Sequence, residues 1–229
     1  MFRSKLLHCL IILALTRHSQ QGFLFGQPCS SRNTIELKMD KVVMPREVQC
    51  VMLTDANPKL VHAYIHFIEN ATTLYADHLN FKKIPFYITK AMRNLELIDL
   101  SYNRIGKVHP MIISRHRNLD KLLLDDNRIT MPANERFLES SSLKTLSLNN
   151  NWIDQLYHES FMELPGLRVL SLQGNQLTAI YKKAFKPLKN LKYLNLADNK
   201  LIRPPNVYSP RLAKINIVLH GNPFMNSTV

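Results

Sequence analysis

The 229-residue sequence predicts one curved α/β solenoid, with a parallel β-sheet lining its concave side and irregular or short-helical segments returning along its convex side. Three observations predict it. An apolar-and-asparagine pattern recurs at a constant step, its first leucine falling at Leu95, Leu119, Leu143, Leu167 and Leu191. A second apolar column runs in phase, ten residues beyond each of the first four asparagines. The pattern degrades at both ends, where terminal turns must meet water.

The recurring element is Leu-x-x-Leu-x-Leu-x-x-Asn-x-Leu, with Ile standing in for Leu at some places. It reads Leu95, Ile98, Leu100, Asn103, Ile105, then Leu119, Leu122, Leu124, Asn127, Ile129. It recurs as Leu143, Leu146, Leu148, Asn151, Ile153, as Leu167, Leu170, Leu172, Asn175, Leu177, and as Leu191, Leu194, Leu196, Asn199, Leu201. Five copies in phase exclude accident. Alternation such as Ile98 and Leu100 turns both side chains into the core of a short strand and the residues between them outward. Asn103, Asn127, Asn151, Asn175 and Asn199 fall where the strand ends, so their amides are expected to satisfy backbone groups left exposed at the turn and to stack as a buried ladder. The column Ile113, Phe137, Phe161, Phe185 supplies the back wall of the core.

These motifs resemble the leucine-rich-repeat family, in its extracellular 24-residue class, where a phenylalanine stack fills the convex side. The resemblance implies a horseshoe with a concave parallel sheet. It covers residues 71–229 as about five regular repeats and two degenerate terminal ones. The first degenerate turn has Leu74, Ala76, Phe81 and Ile84, with Leu79 in the asparagine place; the last has Ile217, Leu219 and Asn222, with Lys214 at its first position. The resemblance also implies a cysteine-rich cap after Gly221-Asn222-Pro223-Phe224. No cysteine follows that run here, so an uncapped end is a candidate dimer contact.

Ahead of the repeats, Arg3 and Lys5 precede an apolar run from Leu6 to Leu15 that Arg17 and His18 break, the order of an export signal, assigned to residues 1–22. The run is too short for a bilayer span, so no transmembrane anchor is expected. Residues 23–70 read as an N-terminal cap that covers the open end of the sheet. Export makes Cys29 and Cys50 a candidate disulfide, worth about 3 kcal/mol for a loop of about twenty residues. Two free buried thiols, or a link to a second chain, are the alternatives. Asn70-Ala71-Thr72 and Asn226-Ser227-Thr228 are glycosylation sequons. The net charge of +13 falls to +10 once Arg3, Lys5 and Arg17 leave, a field that favours acidic partners, including acidic glycans.

No nucleophile elbow, phosphate loop or paired-cysteine zinc spacing occurs, so neither an enzyme, a cofactor nor a metal site is expected. His62 and His66 are four residues apart with no carboxylate scaffold and read as structural. The candidate site is the concave face, whose outward register names Asp99, Ser101, Lys121, Leu123, Asp125, Ser147, Asn149, Ser171, Gln173, Tyr193 and Asn195 as ligand-binding, with Leu97, Thr145, Val169 and Ala197 beside them. Small polar groups around Leu123 and Tyr193 suit a wet protein or glycan contact. Bases cluster elsewhere, at Arg115, His116 and Arg117 and at Lys182, Lys183, Lys186, Lys189 and Lys192. Export, and bases without an aromatic stacking platform, argue against nucleic acid. Two functions follow: a secreted recognition protein of innate immunity, or an extracellular matrix, adhesion or receptor-ectodomain-like binding module. The cysteine region and the run Asn70–Pro85 are similar to those of secreted insect leucine-rich immune proteins. The further cysteines and coiled-coil heptads of those proteins have no counterpart here, so their covalent pairing does not carry over.

Overall fold

The computed structural model describes residues 34–37, 48–53, 62–181, 183–205 and 215–225. The expected signal segment, Cys29, Lys182, Lys214 and Asn226 lie outside the described residues. Three strands, β1 (Thr34–Leu37), β2 (Cys50–Leu53) and β3 (Thr73–Tyr75), come first. Each Leu-x-Leu core of the repeat then gives one very short strand. These are β4 (Leu97–Asp99), β5 (Lys121–Leu123), β6 (Thr145–Ser147), β8 (Val169–Ser171) and β10 (Tyr193–Asn195), and β11 (Asn216–Val218) follows them. Among the described residues these nine strands form one sheet in the order β1-β2-β3-β4-β5-β6-β8-β10-β11, parallel throughout. A parallel neighbour each time the chain returns makes a right-handed coil the unit of structure. The molecule is a solenoid with little helix.

One residue per strand forms an unbroken row in register: Ile35, Val51, Leu74, Ile98, Leu122, Leu146, Leu170, Leu194 and Ile217. All but Ile217 are buried. The row replaces a globular centre, because each of these side chains can leave water only by touching its counterparts one coil away. The sheet also runs further upstream than residue 71. β1 and β2, in the segment expected to form a separate cap, join it as ordinary parallel neighbours, placing Ile35, Val51 and Leu74 side by side although their sequence intervals are unequal. Cys50 opens β2, is buried, and is disulfide-bonded.

Behind the sheet the chain returns through short, varied segments: α1 (Ile65–Ile68), α2 (Phe86–Ala91), a 3-10 turn at Pro110–Ile113, and β7 (Gln155–Leu156) paired in parallel with β9 (Ala179–Ile180). Pro110 starts its turn where no N–H is needed, and Nδ1 of His109 accepts the Met111 N–H at 3.3 Å. Ile113, Phe137, Phe161 and Phe185 lie buried along the back, with the rings of Phe161 and Phe185 stacked at 6.2 Å.

The asparagines close the third side. Asn151 donates through Nδ2 to the carbonyl of Leu124, one coil back, at 2.9 Å and to that of Asn149 at 3.0 Å, while its Oδ1 accepts the Ile129 N–H at 2.9 Å. Asn127, Asn175 and Asn199 repeat this arrangement. Asn103 accepts from the N–H groups of Leu79 and Phe81, and Asn222 adds a rung beyond Asn199 by donating to Leu196. Immediately before each rung the backbone turns through a left-handed residue: Tyr102, Asp126, Asn150, Gly174, Asp198 and Gly221, with His78 at the same place in the first degenerate turn, all with φ between 53° and 72°. Asp, Asn and Gly tolerate that region; His and Tyr do so at a cost. At Gly174 a Cβ would meet the side-chain oxygen of Asn150, which would have to turn away from it.

Replacing Asn151 by Ala strands the Ile129 N–H in the interior and leaves the Leu124 carbonyl with only its bond from Asn127 Nδ2, and urea unfolding should show a loss of about 1–3 kcal/mol. Phe161→Ala opens a cavity against Phe185 and should cost about 3–5 kcal/mol in the same measurement. A loss near zero for either contradicts the stacking described.

Candidate recognition surface

The concave face is less open than its polar sequence suggests. Of the residues expected to point to a ligand, Asp99, Ser101, Asp125, Ser147, Ser171 and Asn195 are buried, as are Leu97, Thr145 and Ala197. Lys121, Leu123, Asn149, Gln173 and Tyr193 keep partial exposure. The reason is spacing. Strands lie about 4.8 Å apart and the sheet curves inward, so short side chains on that face shield one another.

They also bond to one another across coils. Ser147 Oγ and the Asn149 N–H both donate to Asp125 Oδ1, at 2.6 and 2.7 Å. Asn149 Oδ1 in turn accepts from Ser171 Oγ at 2.6 Å and from the Gln173 N–H at 2.9 Å. Asn195 Nδ2 donates to Gln173 Oε1 at 3.0 Å, and Gln173 Nε2 reaches Asp198 Oδ2 at 2.8 Å. The result is a second polar ladder, on the face opposite the hydrophobic row. Its signal in the sequence is the Asp, Ser, Asn and Gln that stand four and two places ahead of the rung asparagines everywhere but at Leu123 and Ala197.

Charge on this face is uneven. Burial raises the Asp125 carboxyl from its ordinary value of 3.8 to about 6, against the lowering effect of the Ser147 and Asn149 bonds, and the carboxylates of Asp99 and Asp126 add to the rise. At the N-terminal end, burial first and then the charges of Asp99 and Asp77 push Tyr75 up to about 12. The concave face is therefore acidic toward its N-terminal coils.

The flanks are the exposed parts. Along the edge where the strands exit, Tyr102 stacks on His78 at 4.5 Å, and the Arg128 guanidinium lies 5.6 Å from the centre of the Trp152 ring. Arg128 and Trp152, outside the basic clusters expected from the sequence, occupy equivalent places in successive coils, on the same edge. Where the strands enter, a groove of about 640 Å³ is lined by Arg117, Asn118, Lys144, Arg168 and Asn190 among others, with Lys144 Nζ held 2.7 Å from Asp120 Oδ1. Arg115 and Arg117 are exposed, but His116 between them is buried, and burial lowers its pKa, so it does not add to that charge. Lys183, Lys186 and Lys189 are exposed on another return segment, with Lys192 just beyond them. A convex groove of about 700 Å³ is acidic, with Glu135, Glu139, Glu159 and Glu163 beside Met111 and Met162.

His62 and His66 are both exposed. Among the described residues no group of three His, Cys, Asp or Glu side chains could hold a metal ion, and no helix is long and apolar enough to cross a membrane. Asn70 is exposed and its Oδ1 accepts from Asn94 Nδ2 at 3.3 Å.

Family models described as leucine rich repeat match residues 94–115, 117–177 and 141–201. The chain is a leucine-rich-repeat protein. The matches coincide with the five regular coils. No curated protein matches the chain. Among solved structures, the leucine-rich-repeat coil is similar to a chain in the crystal structure of a TLR13–ssRNA13 complex, with a TM-score of 0.54 and 23% identity over 75% of this chain. This leucine-rich-repeat protein spans 29% of that chain, so the likeness is one of fold. Repeats of this family typically form binding scaffolds, built as here from a rigid sheet with variable edges.

Because the folded Asp125 carboxyl holds its proton more tightly than the unfolded one, folding is favoured fully below about pH 4 by this group, and the advantage is lost as pH rises through about 6. The loss should be on the order of 2–3 kcal/mol. Asp125→Asn should flatten the stability profile between pH 4 and 6 in thermal unfolding; an unchanged slope contradicts the assignment.

Proposed function

We propose that this protein is secreted and recognises another macromolecule, in innate immune recognition. The observation that carries the reading is a parallel sheet whose concave Asn149 and Gln173 are held by cross-coil bonds, so that they lose little freedom on contact, with the partly exposed Lys121, Leu123 and Tyr193 beside them on the same face. The export signal at residues 1–22, a Cys29–Cys50 bridge ahead of the repeats, and glycans at Asn70 and Asn226 are parts of the same proposal. In it Asp99, Ser101, Asp125, Ser147, Ser171 and Asn195 contact ligand less than they fix the geometry of the residues beside them. The scaffold is read as a binder and not as an enzyme.

The resemblance to the extracellular 24-residue class and to secreted insect leucine-rich immune proteins supports an immune ligand. The fold relative is a complex with single-stranded RNA, so the argument against nucleic acid drawn from the sequence gains no support from it. A second reading, a matrix or adhesion module binding acidic glycans, is favoured by the groove of Arg117, Lys144 and Arg168. Pairing of two copies through the end at β11 belongs to either.

Expression of the full chain in animal cells tests the proposal. The protein should appear in the medium without its leader, Cys29→Ser should abolish the mobility difference between reduced and unreduced forms, and Asn70→Gln should remove a glycosidase-sensitive shift. Retention inside the cell sinks it. Heparin retention that falls with salt and with Lys144→Ala and Arg168→Ala favours the matrix reading, whereas a salt-resistant protein partner favours the immune one.

A further inference from the structure

At the exit edge of the sheet the left-handed turn residues and the residues just beyond each rung asparagine form two neighbouring rows. The first contains Tyr102, Asp126 and Asn150; the second contains Arg104, Arg128 and Trp152. Tyr102 is the anomaly. Its φ is 55°, in a place that Asp126, Asn150, Gly174 and Asp198 fill in later coils, and those residue types enter the left-handed region with less strain than an aromatic one. An aromatic side chain held there against backbone preference points to a role the turn itself does not need.

Nor does the core need it, since Tyr102 is 43% exposed and Trp152, the one tryptophan of the chain, is 51% exposed. Neither ring is loose. Tyr102 lies parallel to the His78 ring within 13°, and Trp152 is braced by the Arg128 guanidinium. Asp126, in the coil between the two aromatics, is fixed by the Asn150 Nδ2 bond to its Oδ1 at 3.1 Å. The edge thus offers two immobilised aromatic plates, with a carboxylate, an amide and a guanidinium between them.

Carbohydrate chemistry matches that set. The C–H-rich face of a pyranose packs on an aromatic ring, and its vicinal hydroxyls are bound by planar carboxylate, amide and guanidinium groups. Charge along these two rows nearly cancels, with Arg104, Arg128 and Lys200 against Asp126 and Asp198, so the edge concentrates no field for a polyanion. Spacing narrows the class further. Coils repeat about every 4.8 Å, close to the rise of a single β-linked pyranose, so an extended β-linked chain lying along this edge keeps step with the coils and passes both Tyr102 and Trp152, two coils apart in neighbouring rows.

We infer that the strand-exit edge around Tyr102, Asp126, Arg128 and Trp152 is a binding site for an uncharged β-linked glycan chain, separate from the concave face. The inference rests on the reading of this protein as an extracellular recognition scaffold and names one ligand class and its place.

Titration of the full chain with cellohexaose and with chitohexaose tests it. Either sugar should saturably change the emission of Trp152, with affinity little altered between low and high salt. Calorimetry should then show roughly tenfold weaker binding for Trp152→Ala and for Tyr102→Asn. Tyr102→Asn is the decisive variant, because it relieves the left-handed turn: the unfolding midpoint should hold or rise while binding falls. The site is overturned if neither sugar binds, if binding survives both substitutions, if Tyr193→Ala on the concave face abolishes it instead, or if only heparin binds and salt removes it. Appearance of the protein in the medium and capture of a protein partner by the concave face are scored separately, so failure here leaves the broader reading standing, and failure of export leaves the titration interpretable.

Discussion

The structure depends on side chains satisfying the backbone of the coil before their own. A strand as short as each of these is not stable alone, and the turn after it leaves N–H and C=O groups facing the interior. Asn127, Asn151, Asn175 and Asn199 reach one coil back to fill both kinds of vacancy. With that accomplished, Ile98, Leu122, Leu146, Leu170 and Leu194 can form a row on one side and the phenylalanines a column on the other. Stability is then a sum over neighbouring coils, and a defect is felt chiefly by the two it separates.

The same repetition governs the surfaces. A side chain at one register position meets its equivalents at a fixed interval, so every face of the solenoid is a column of like positions. On the concave side that produces the Asp125–Ser147–Asn149–Ser171–Gln173 ladder, which fixes geometry at the expense of exposure. On the exit edge there is room, and aromatic and cationic groups stand clear. Recognition surfaces of this protein are therefore set by which columns self-pair and which do not.

The core and the rungs were legible in the sequence because period alone identifies them: Leu122 and Asn127 recur with the same spacing in every regular coil. Other features have no period to announce them. β1 and β2 join the sheet at irregular intervals, so Ile35 and Val51 resemble an ordinary alternating segment until the pairing is seen. Ser147 and Ser171 look like surface residues because residue type records polarity, whereas their burial comes from the neighbouring coil. His116 looks like part of a basic cluster for the same reason. The strained turn at Tyr102 was hidden by its chemistry, although the Asp, Asn, Gly and Asp that follow it in phase mark a left-handed position once they are aligned.

The rungs have a direction. Each rung asparagine from Asn103 to Asn222 bonds its own coil and the one behind it, and none of these side chains bonds the coil ahead, so a coil is completed only by the arrival of its successor. During synthesis, where the N-terminal coils emerge first, this polarity acts as a ratchet: each newly extruded segment latches the last one shut, and the chain can consolidate in the order in which it is made.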